Sequence, residues 1–91
     1  MAYENQTICV TGGASGIGQA IAIDFASQGG NICLMDVNAQ SLKDTENKIV
    51  KKHGVKVISC VVDVTSQENV ENAFKRVHET FGRIDVLVQC A

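Results

Sequence analysis

Short, nearly continuous apolar runs alternate along the chain with longer segments whose apolar residues recur every three or four positions. The runs lie at residues 7–10, 31–36, 55–62 and 85–90 and are rich in Val and Ile. Runs of this kind suit strands of a parallel sheet covered on both faces. Between the first two, Ile17, Ile21 and Phe25 stand at steps of four with Ala20 beside them. That spacing predicts a helix over 17–28 with this stripe against the sheet, stopped at Gly29-Gly30 by a left-handed cap. The next helix begins after Asn38, a good N-cap, and carries only Leu42, Ile49 and Val50 as apolar positions, so it belongs on the surface. It closes on Lys51-Lys52-His53-Gly54, where cations in the last turn interact favourably with the helix dipole and glycine ends the turn. For the third helix, Thr65-Ser66-Gln67-Glu68 reads as a capping box, with Thr65 as the cap. Val70, Ala73, Phe74, Val77 and Phe81 then form one stripe ending at Gly82. His53 reads as a helix-end residue and His78 as a helix-surface residue.

Strands and helices in strict alternation predict an α/β fold built of βαβ units around a parallel sheet. Right-handed crossovers, winding outward from strand one and then returning to its other side, give the strand order 3-2-1-4. Two helices then cover one face and the third covers the other. The winding reverses between strands one and four, which is where such sheets open a ligand crevice.

The bulk numbers narrow the function classes. Ninety-one residues make one small domain or part of a larger one. With three Phe, one Tyr and no Trp, aliphatic side chains must fill the core. A net charge of −2 argues against a nucleic-acid partner, and Lys51-Lys52 and Lys75-Arg76 read as solvated helix faces. No apolar run approaches membrane-spanning length, and the N-terminal Tyr3-Glu4-Asn5-Gln6 is polar, so no membrane association and a cytoplasmic location are expected. Cys9, Cys33, Cys60 and Cys90 are too widely spaced for a CxxC motif and each falls in an apolar run. They are expected to be reduced, mostly buried in the sheet, and disfavoured from ionising.

The chemistry concentrates in Val10-Thr11-Gly12-Gly13-Ala14-Ser15-Gly16-Ile17-Gly18, a glycine turn between the first strand and the first helix. Such a turn brings bare backbone and a helix N-terminus against phosphate oxygens. Gly12 allows the tight turn, Gly16 the close approach of a pyrophosphate, and Gly18 the packing of helix on strand. Asp36 closes the next apolar run, beside this loop. A carboxylate there accepts both hydroxyls of an adenine ribose and repels a 2′-phosphate, while Ser15, Val37 and Asn38 offer no cation to hold one, so NAD is expected over NADP. The plain alternatives are a surface turn for the glycines and a turn-initiating acid for Asp36.

Thr11-Gly12-x-x-x-Gly16-x-Gly18 resembles the nucleotide loop of the short-chain dehydrogenase/reductase family, and the resemblance continues along all 91 residues. It implies a Rossmann-type doubly wound parallel sheet, here partial, with four strands and three helices. Residues 1–91 then correspond to the N-terminal part of one NAD-binding domain, with the catalytic C-terminal part absent. The loop residues Gly12, Ser15, Gly16, Ile17 and Gly18 would hold the cofactor together with Asp36. Asp63-Val64 matches the family's Asp-Val pair, whose acid bonds the adenine amino group and whose next amide meets the ring; a helix-entry acid is the alternative for Asp63. The family's fourth strand ends Asn-Asn-Ala-Gly and lines the adenosine side with backbone. This chain reads Gln89-Cys90-Ala91 there, which keeps Cys90 and Ala91 as backbone contacts and loses the asparagine side chains.

Members of the family use a Ser and a Tyr-x-x-x-Lys pair to move the alcohol proton. The only tyrosine here is Tyr3, and the residue four places on is Thr7. The resemblance therefore implies an oxidoreductase acting on a secondary alcohol or ketone as a homo-oligomer, with no catalytic residue and no activity in this chain alone. Two other readings stand beside it. One is a non-catalytic nucleotide-binding or interaction module; the other is a methyltransferase-like nucleotide domain, which also places a glycine loop and an acid after its first two strands.

Overall fold

The computed structural model describes residues 2–90. Strand β1 (Thr7–Thr11) leads through the glycine turn to helix α1 (Gly16–Ser27), then β2 (Asn31–Asp36), α2 (Ala39–His53), β3 (Val57–Val61), α3 (Gln67–Phe81) and β4 (Val86–Gln89). All pairings are parallel and the strand order is β3-β2-β1-β4. This is the expected topology, and its central strand β1 is buried along its whole length.

Alternation along the strands splits the core in two. Ile8, Val10, Ile32 and Leu34 point to one face and meet Ala22 and Ala26 of α1 and Leu42 and Ile49 of α2. Cys9, Cys33, Met35 and Cys60 point to the other and meet Ala73 and Val77 of α3. Two helices on one face and one on the other leave β4 thinly covered, and its Leu87 is exposed.

Helix α1 departs from the expected stripe. Its buried residues are Gly18, Ala22 and Ala26, whereas Ile17 is 76% exposed and Ile21 and Phe25 are half-buried. The cause is proximity: a Cβ on Gly18 would stand 2.0 Å from the Gly12 carbonyl oxygen, so only small residues fit the facing row. The helix ends as expected, with Gly29 at φ 88° and the Gly29 and Gly30 amides donating to Ala26 and Phe25 carbonyls, a Schellman arrangement.

Helix α2 is capped by Asn38, whose side chain accepts from the Ser41 amide at 2.9 Å, and it ends at left-handed Gly54. The α3 cap falls one residue later than expected. Ser66, not Thr65, accepts from the Asn69 amide, because the Thr65 hydroxyl is already donated to Asp63 at 2.6 Å. At the opposite end of the sheet, Asp85 accepts the Thr7 amide at 2.8 Å and is gripped by Arg83, fastening the entry of β4 to the start of β1.

Candidate functional site

The glycine turn is held from three sides. The amides of Gly12 and Gly13 both donate to the Met35 carbonyl, at 2.7 and 3.3 Å, which fixes the turn to the end of β2. Ala14 donates its amide to Asp36 Oδ2 at 3.2 Å, and its carbonyl accepts the Thr45 hydroxyl at 3.3 Å. Thr45 in turn accepts from Gln19 Nε2 at 2.9 Å. Gly12 and Gly16 sit at φ 68° and 56°, the left-handed region, where side chains are disfavoured. A Cβ on Gly16 would meet nothing within 4 Å, so its outer side is open for close approach.

Ser15 occupies the N-cap position of α1 yet makes no side-chain capping bond, and the first turn holds no acidic residue. The first amides of α1 are thus left for an external acceptor. Ser15, Gly16 and Ile17 are all exposed at this end, and Gly18 is buried beneath them.

Gly12, Asp36, Asp63 and Val64 come together, with Met35, Val37 and Val62, around one depression of about 90 Å³ at the carboxyl ends of β1, β2 and β3. Asp36 Oδ1 accepts the Val37 amide at 2.7 Å. Asp63 Oδ1 accepts from both the amide and the hydroxyl of Thr65, and these bonds, the hydroxyl's foremost, hold its carboxyl below the usual carboxylate range. The helix-entry role foreseen as an alternative for Asp63 is therefore real, alongside its place in the depression. A larger groove of about 300 Å³ adjoins it, sharing Met35, Val62 and Val64 and continuing over Phe74 and Leu87 to Gln89.

Cys90 follows β4 directly; its amide donates to the Thr11 carbonyl at 3.1 Å, and Thr11 Oγ1 donates to the Val88 carbonyl. Ala91 lies outside the described residues. Cys90 is exposed, which corrects its assignment to the buried thiols: β4 is an edge strand, so its end has no covering layer. The other three cysteines are buried but not alike. Cys33, hydrogen-bonded to Cys60 and Cys9 and buried besides, is pushed strongly up. Cys60 is instead lowered to about 6, first by the Cys33 hydrogen bond and then by the Arg76 guanidinium 3.6 Å from its sulfur. Burial alone does not decide ionisation when a donor and a cation face the sulfur. Among the described residues, no group of three or more His, Cys, Asp or Glu side chains is placed to hold a metal ion.

Sequence reading missed Thr45, Gln19 and the Met35 carbonyl. Main-chain acceptors carry no residue signature; for Thr45 the available signal was its spacing, three residues after Leu42 and four before Ile49, which puts it on the inward stripe of α2.

The match to known proteins is extensive. The family model for short chain dehydrogenases matches residues 6–91. The chain belongs to this family. It is 40% identical over 88 residues to a 3-hydroxyacyl-CoA dehydrogenase type-2 of Drosophila melanogaster, covering 97% of the chain and 33% of that protein. It is 37% identical over 95 residues to a 12alpha-hydroxysteroid dehydrogenase of a Clostridium species, covering 98% and 37%. Among solved structures, NAD+-bound xylitol dehydrogenase superposes with a TM-score of 0.92 at 36% identity, over 96% of this chain and 33% of that one. L-sorbose reductase from Gluconobacter frateurii, complexed with NADPH and L-sorbose, gives 0.91 at 34%, over 93% and 32%. The short-chain dehydrogenase fold is thus present in the part that the chain spans, about a third of the length of these relatives. No helix among the described residues is long and apolar enough to cross a membrane.

Proposed function

We propose that residues 1–91 form the NAD-binding portion of a short-chain oxidoreductase that passes hydride between NAD(H) and a secondary alcohol or ketone. The observation that carries this is the meeting of the Asp36 carboxylate with the open, uncapped glycine loop around one depression. The fit is favourable for a dinucleotide. The first amides of α1, which the Ser15 side chain does not cap, offer donors for a pyrophosphate, and no acidic side chain in the first turn competes with it. Asp36 receives the adenine ribose hydroxyls; Asp63 and Val64 border the adenine, and the backbone at Cys90 closes the adenosine side. Bound there, the nicotinamide supplies the hydride acceptor or donor.

Cofactor choice rests on Asp36, since the relatives include one bound to NAD+ and one bound to NADPH. A carboxylate already turned toward the loop leaves no favourable place for a 2′-phosphate, which supports NAD. No side chain of this chain is assigned to the alcohol proton. Its only tyrosine, Tyr3, stacks edge-on against Phe25 at 4.8 Å and bonds its amide to Gln28, at the end of the molecule opposite the glycine loop. Proton transfer is therefore assigned to residues outside these 91, and a cytoplasmic homo-oligomer remains the expected state of the complete enzyme.

Calorimetric titration of the chain with NADH, NADPH and S-adenosylmethionine tests this reading. NADH binding more tightly than either of the others is the expected result. Equal affinity for NADPH overturns the NAD assignment, and preference for S-adenosylmethionine overturns the oxidoreductase reading.

A further inference from the structure

The inward stripe of α2 is Leu42, Thr45 and Ile49. A threonine in the middle of such a stripe gives up apolar contact and requires its hydroxyl to be satisfied. Thr45 is 1% exposed and its hydroxyl is engaged twice, accepting from Gln19 Nε2 at 2.9 Å and donating to the Ala14 carbonyl at 3.3 Å. Ala14 is held on its other side as well, by Asp36 Oδ2 at its amide. The peptide plane linking Ala14 to Ser15 is rigid, and in a trans peptide the carbonyl and the following N–H point in opposite directions. Drawing the Ala14 carbonyl inward to Thr45 therefore turns the Ser15 N–H outward, toward the open side of the loop. We propose that Thr45, itself braced by Gln19, is a positioning residue that sets the direction of the Ser15 amide and its neighbours for pyrophosphate. Thr45 touches no ligand; it acts through one peptide plane. The inference rests on the cofactor reading above and adds a residue from a different helix to it.

The consequence is selective. Losing the hydroxyl penalises a ligand that carries a pyrophosphate and spares one that reaches only Asp36 and the adenine side. Thr45→Val keeps the shape and removes the bond; Thr45→Ser keeps the bond. With the 91-residue chain, Thr45→Val is expected to weaken NADH about tenfold, the cost of one well-placed hydrogen bond. Adenosine, followed by amide chemical shifts, should bind the variant as it binds the parent, and Thr45→Ser should restore NADH. Without any ligand, the Ser15 and Gly16 amide resonances should shift or broaden in Thr45→Val and return in Thr45→Ser. Unchanged NADH affinity and unchanged Ser15 and Gly16 resonances in Thr45→Val overturn the proposal. Equal losses for NADH and adenosine also overturn it, since they mark a general loosening. A parent chain that binds no NADH fails the cofactor reading; the ligand-free resonances then still decide whether Thr45 orients the loop.

Discussion

Asp36 is engaged with the glycine loop before any ligand arrives, one oxygen holding the Ala14 amide and the other the Val37 amide. A residue that both shapes the loop and meets the ribose is not a simple specificity switch. Asp36→Ala should therefore narrow the gap between NADH and NADPH chiefly by weakening NADH, by about tenfold or more, because a charge-assisted bond to each partner is lost. NADPH should gain little, as no cation is introduced. Titration calorimetry on parent and variant reads both numbers, and an unchanged ratio is incompatible with Asp36 as the discriminator. The cysteines give a second residue-level contrast. Cys90 is exposed, while buried Cys60 is lowered to about 6, by the Cys33 hydrogen bond first and the Arg76 guanidinium next. Alkylation followed by peptide mass spectrometry should label Cys90 first. Labelling of Cys60 should be slower, with a rate that breaks near its own value and not near the ~8.5 of a free thiol. Arg76→Ala should move that break upward. A break that stays in place in Arg76→Ala contradicts the role given to Arg76.

At the level of elements, the four strands, three helices and their order were legible because each signal is local: an apolar run for a strand, a cap and a stripe for a helix. Strand ends and the inward faces of helices were less so. Ile17 satisfies the helical period yet stands in solvent, since the row facing β1 is set by how closely Gly18 approaches Gly12 and not by hydrophobicity. The glycine loop and Asp36 were readable from spacing, whereas the braces on that loop come from Met35 and Thr45, far along the chain. The cap of α3 shows a competition among neighbours: Thr65 and Ser66 both fit a capping position, and Asp63 takes the Thr65 hydroxyl. Ser66→Ala should thus cost about 1 kcal/mol in a denaturation curve, the ordinary worth of an N-cap. Thr65→Ala should cost less, because its hydroxyl bonds Asp63 and caps no helix amide. The reverse ranking returns the cap to Thr65.

The molecule as a whole is closed at one end and open at the other. The carboxyl ends of the strands carry the depression and the groove, with β4 as an uncovered edge. The amino ends are sewn together by Asp85, which ties Thr7 of β1 to Arg83 ahead of β4. These partners, Arg83 first and the Thr7 amide next, hold the Asp85 carboxyl below the usual carboxylate range. A carboxyl whose folded value is depressed binds fewer protons in the folded than in the unfolded chain. Its stabilising contribution is complete above the unfolded value of about 3.9 and disappears as pH falls through the folded one. Asp85→Asn keeps an oxygen for the Thr7 amide and removes the charge that Arg83 reads. The variant should unfold at lower urea than the parent at pH 7 and at pH 5, and the two midpoints should converge as pH is taken below 4. Adding salt at pH 7 should narrow the same difference, since the Arg83 contact lies at the surface and is screened. A gap that stays constant from pH 7 to the acid limit would mean that the side chain's shape, and not its charge, fastens β4 to β1.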